Sequence, residues 1–73
     1  MVDVKKLRAR MVLMGHTQRT LVAEMTARGV KTSENTFSSK MNGKSQFDCA
    51  DADVLCDILE LNKPADRAEI FLA

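Results

Sequence analysis

Apolar residues recur in this chain at three- and four-residue intervals, and Gly15, Gly29, Gly43 and Pro64 cut the recurrence into short segments. That pattern suits a set of short amphipathic helices. Strands favour β-branched and aromatic side chains, whereas this chain fills its apolar positions with Met, Leu, Val and Ala and has three Phe, no Trp and no Tyr. Its 73 residues allow one domain, and a chain of that length buries only roughly 60% of its unfolded surface. Little is left over to build a closed catalytic pocket.

The segments can be read in turn. Val4, Leu7, Met11 and Met14 form one stripe, which predicts a first helix from Asp3 to Met14 with Asp3 as N-cap, Gly15 just past its end and the interleaved basic residues projecting outward. A second helix begins after Thr17, buries Leu21, Val22 and Met25 and ends before Gly29, with a turn over Gly29 to Thr32. Ser33 caps a third helix from Glu34 to Asn42, anchored by Phe37 and Met41 and stopped by Gly43. Asp48 caps a fourth, reaching Leu61, with Ala52, Leu55, Ile58 and Leu59 inside, Val54 or Cys56 at the margin and its acids in solvent. Pro64 suits the first turn of a fifth helix whose Ala68, Phe71 and Leu72 fold back on the core. The expected fold is all-α, a compact bundle of about five short helices forming one domain over 1–73.

Net charge is only +1, but its distribution is uneven. Residues 1–44 carry nine Lys and Arg against three acids, a net +6, whereas residues 45–73 carry two against seven, a net −5. Such a division offers a basic face to phosphates and an acidic face elsewhere. Lys5, Lys6, Arg8 and Arg10 interrupt any leader-like apolar stretch, and no run approaches the roughly 20 apolar residues of a membrane span. A soluble, cytoplasmic protein without membrane contact is expected.

Catalytic and metal chemistry find little footing. His16 is the only histidine and has no carboxylate at a suggestive spacing, and Ser38, Ser39 and Ser45 have no evident base. Cys49 and Cys56, if on one helix, stand about 10 Å apart along its axis, too far to form a disulfide with each other. They are expected to be buried small hydrophobes, and two thiols with one distant His make no zinc site. No enzyme motif, cofactor or metal is expected.

The third helix has an unusual composition. Asn35, Ser38 and Ser39 give it a short, polar, mostly uncharged outer face with Lys40 on its flank, although Ser and Asn are mediocre helix formers. Short polar side chains of this kind let a helix approach the base edges of a major groove. The run Gly15-His16-Thr17-Gln18, then Leu21-Val22-Ala23, then Ser33-Glu34-Asn35-Thr36-Phe37-Ser38-Ser39-Lys40-Met41-Asn42-Gly43-Lys44-Ser45 resembles the lambda-repressor-like, Cro-type helix-turn-helix family. It is most similar to small phage-type regulators of Gram-positive bacteria, over about residues 3–73.

The resemblance implies a sequence-specific transcriptional regulator, Cro-like or a repressor of a prophage or mobile element, binding double-stranded DNA as a homodimer. It implies that Thr17, Gln18 and Arg19 meet the DNA at the start of the second helix, Gln18 through a phosphate. Asn35, Ser38 and Ser39 would face base edges, with Glu34 near the mouth of the groove, Lys40 beside them and Lys44 on the phosphate beyond. One departure stands out: from Gln18 to Thr36 the chain is about five residues longer than the family spacing, with the excess around Met25 to Lys31. Either the second helix gains nearly a turn or the connecting loop bulges, where Arg28 or Lys31 would add a backbone contact. A protein-interaction module on the same scaffold, docking through the acidic fourth helix or the apolar terminus, is the competing expectation.

Overall fold

A computed structural model describes residues 2–72. Its elements are all α-helices: α1 (Val4–Leu13), α2 (Gln18–Ala27), α3 (Glu34–Met41), α4 (Cys49–Ile58) and α5 (Pro64–Phe71). Each starts where the sequence signals it. Asp3, Thr17, Ser33 and Asp48 accept hydrogen bonds from the third amide of α1 to α4 in turn, and Pro64 opens α5.

The helix ends share one closure. After α1, α2 and α3 a glycine takes a positive φ (Gly15 75°, Gly29 94°, Gly43 79°), and the next amide reaches back five residues: His16 to Met11 (2.8 Å), Val30 to Met25 (2.9 Å), Lys44 to Ser39 (2.9 Å). α4 closes identically, with Leu61 N–H donating to Cys56 O at 2.8 Å, but the left-handed residue is Glu60, at φ 55°. The expected extension of α4 to Leu61 is therefore wrong by nearly a turn; no glycine marked the break. Arg10 and Arg67 surround this end of α4. Arg10 donates through Nε to Leu59 O (2.9 Å) and through Nη2 to Glu60 O (3.2 Å), and Arg67 Nε to Leu61 O (2.6 Å). Cations at a helix C-terminus satisfy its free carbonyls and its dipole. Arg10, expected to project into solvent, is thus half-buried and spent on α4.

Leu7, Leu21, Met25, Phe37, Leu55 and Leu59 are fully buried and draw α1 to α4 around one core. α4 is its centre: Asp51, Val54, Leu55, Cys56 and Ile58 are all buried, an arc of about 200° with the adjoining Leu59 at 100° per residue. A helix enclosed on that much of its surface buries Val54 and Cys56 as fully as its expected core, while Ala52 is only half-buried. Cys49 falls on the remaining arc and is exposed, contrary to expectation, whereas Cys56 is buried. α1 and α5 run antiparallel, tied by Asp3 N–H to Ile70 O (2.6 Å) and by the exposed Lys6–Glu69 pair (3.1 Å). Ile70 is the buried anchor of α5; Phe71 is half-buried and Leu72, expected inside, is 80% exposed. No helix of the described residues is long and apolar enough to cross a membrane.

Candidate nucleic-acid interface

α2 presents its N-terminus through a reciprocal cap. Thr17 Oγ1 accepts from Thr20 N–H (3.2 Å) and Thr20 Oγ1 accepts from Thr17 N–H (2.9 Å). His16 Nδ1 lies 3.2 Å from the same Thr20 oxygen, so the loop before α2 is fixed by a small polar cluster. Thr17 is occupied as a cap. Gln18 and Arg19 follow it in the first turn, half-buried and exposed respectively, while Leu21 and Met25 root the helix in the core.

Residues 28–33 connect α2 to α3. Arg28 pairs with Glu24 at 3.3 Å, and Lys31 is exposed. Ser33 Oγ then caps α3, accepting from Thr36 N–H (3.1 Å) and donating to Thr36 Oγ1 (3.0 Å).

Phe37 and Met41 define the inward line of α3. At 100° per residue the direction opposite that line falls on Ser39, with Asn35 and Thr36 within about 60° of it. Asn35 and Ser39, one turn apart, therefore share the outward ridge, Asn35 exposed and Ser39 half-buried. Ser38 lies about 80° from the inward line; it is half-buried, and Asn42 Nδ2 approaches its hydroxyl at 3.5 Å. Glu34 is exposed at the start of the helix, and Lys44 is exposed just beyond its end.

Lys40 is the residue whose surroundings differ most from expectation. Its ammonium donates to Asp51 Oδ2 at 2.5 Å, with side-chain exposures of 15% and 4%. Lys40 faces α4, and Asp51, read from sequence as a solvated acid, is the buried charge that receives it. Asp51 also completes the cap of α4: Asp48 Oδ1 accepts from Asp51 N–H (2.8 Å) and Asp51 Oδ2 from Asp48 N–H (3.1 Å). A buried carboxylate demands such partners, but spacing alone did not show which basic residue would supply one.

Two further residues support the ridge without a sequence signal for doing so. Phe47 packs edge-to-face on Phe37, with ring centroids 5.8 Å apart, and braces α3 from behind. Asn42, as C-cap, adds an exposed amide at the far end of the helix. No protein-family model, curated protein or solved structure matches this chain.

Proposed function

We propose that this protein is a sequence-specific DNA-binding regulator in which α2 and α3 act as a helix-turn-helix with an enlarged turn and α3 enters the major groove. One observation carries the reading: α3 turns an uncharged polar ridge, Asn35 and Ser39, away from a core that holds its other side through Phe37 and Met41. A helix with its side chains is about 10–12 Å across, and a groove about 12 Å wide admits one helix. Exposed Lys31 and Lys44 flank α3 in the chain and supply phosphate contacts that fix its register. Gln18 and Arg19 add contacts at the start of α2, where unpaired amides favour a phosphate. The reading assigns no catalytic step to the chain.

Selection of bound sequences from random duplex DNA, followed by titration across salt, tests this reading. A preferred sequence should emerge, with affinity that falls steeply as salt rises because phosphate contacts release counterions. No selected sequence and no salt dependence would refute it.

A second reading is supported by exposed apolar residues: Val12 and Leu13, each 72% exposed, and Leu72. These suit contact with a protein, either a second copy of this chain, as a two-half-site regulator requires, or a different partner. Sedimentation at micromolar concentration separates a dimer from a monomer, and a strict monomer removes the homodimer.

A further inference from the structure

The cations around α3 fall into two kinds. Lys31 and Lys44 are exposed and have no acidic partner among the described residues. Lys40 is nearly enclosed and bound to Asp51. We propose that Asp51 withholds Lys40 from DNA, fixing α3 against the start of α4 and removing from its flank a charge that would bind any duplex. Asp51 is then a positioning residue for sequence discrimination. This inference rests on the DNA-binding reading above.

The geometry gives Lys40 a choice. It lies about 80° from the inward line of α3, at the edge between core and solvent, and a four-carbon stem carries the ammonium either way. Asp51 decides the direction. Its carboxylate sits in the first turn of α4, where the helix dipole favours a negative charge, and it is held there by Asp48 N–H independently of the lysine. The acceptor is thus already in place for Lys40 Nζ. The consequence lies in the kind of affinity that remains. Phosphate neutralisation supplies binding without sequence preference, whereas discrimination comes from base-edge contacts. With Lys40 held back, the uncharged Asn35 and Ser39 ridge contributes a larger share of the binding.

The test compares a selected duplex with a scrambled duplex of equal length, using the full chain between about 50 and 200 mM salt. In Asp51→Asn the freed ammonium should raise affinity for the scrambled duplex several-fold. The plot of log affinity against log salt should steepen by about 0.9, the value of one added phosphate contact, and the preference for the selected duplex should fall. The double variant Lys40→Met/Asp51→Leu fills the same space with apolar groups and should keep the wild-type slope. A folded Asp51→Asn with an unchanged slope overturns the proposal. So does a double variant whose slope flattens by about 0.9, since Lys40 would then already touch phosphate. Should Asp51→Asn fail to fold, the double variant decides alone by the same criterion. A wild type that binds neither duplex refutes the DNA-binding reading itself, whereas a salt-dependent wild type with an unresponsive Asp51→Asn refutes this inference only.

Discussion

Lys40 and Asp51 join the last turn of α3 to the first turn of α4 through one nearly enclosed ion pair, and Asp51 closes the cap of α4 with the same carboxylate oxygen. Removing Lys40 strands a buried carboxylate, which typically costs about 3 kcal/mol or more, whereas removing Asp51 frees the ammonium toward solvent and loses the cap bond to Asp48 N–H. In a domain this small the former is a large part of the total stability. Chemical denaturation should therefore show Lys40→Met strongly destabilised and Asp51→Leu destabilised by less. The double variant should recover most of the loss in Lys40→Met, because well-packed apolar replacements of a buried pair are often neutral or stabilising. It should stay below wild type by the cap bond to Asp48 N–H, about 1 kcal/mol. Single variants with wild-type midpoints would show that the pair behaves as an exposed one.

Glu60 takes the left-handed position that glycine fills after α1, α2 and α3. A side chain in that conformation costs about 1–2 kcal/mol, partly offset in a glycine variant by the freer unfolded chain. Glu60→Gly should stabilise the protein by about 1 kcal/mol at most, leaving the backbone carbonyls held by Arg10 in place. Gly43→Ala should do the reverse: an added Cβ meets nothing within 4 Å, so its cost, about 1 kcal/mol, is conformational. Thermal melts of the two variants moving in opposite directions would bear this out, and a destabilised Glu60→Gly would contradict it.

These cases mark the boundary of what the sequence reveals. The four cap residues Asp3, Thr17, Ser33 and Asp48, the three glycines and Pro64 act within one turn of themselves, and their roles follow from local chemistry. The inward positions Leu7, Leu21, Phe37 and Leu55 follow from the period of the apolar pattern. The arrangement of the polar ridge on α3 was legible for the same reason, since Asn35 and Ser39 lie opposite Phe37 and Met41 on one helix. What escaped depends on residues far apart in the chain. The end of α4 is held by Arg10, about fifty residues upstream of the carbonyls it caps. The environment of Lys40 is decided by Asp51, on the next helix. α5 anchors through Ile70 rather than Leu72 because its rotation is set by α1.

The two cysteines should differ in reactivity. Cys49 is exposed, whereas burial pushes the Cys56 thiol above its ordinary value, against a lowering influence from Arg67. The thiolate is the reactive form, so at pH 8 one thiol should react quickly with an aromatic disulfide reagent and the second only upon unfolding. Cys49→Ser should abolish the fast phase. The raised value also sets a pH dependence. The unfolded chain ionises this thiol near its ordinary value of 9.0 while the folded chain still holds the proton, so its contribution to stability is complete below that pH and declines above it. Denaturation midpoints should fall more steeply above pH 9 in wild type than in Cys56→Ala; parallel curves would contradict the assignment.

The central claim is that the outward ridge of α3 reads base edges while Lys44 grips backbone, and binding-site selection repeated with Asn35→Ala and Lys44→Ala tests it most directly. Asn35→Ala should lose about 1–3 kcal/mol of discrimination at a single base pair and leave the others intact. Lys44→Ala should weaken all duplexes alike and flatten the salt slope by about one. If Asn35→Ala retains the full sequence preference of the wild type, α3 does not read DNA through this ridge.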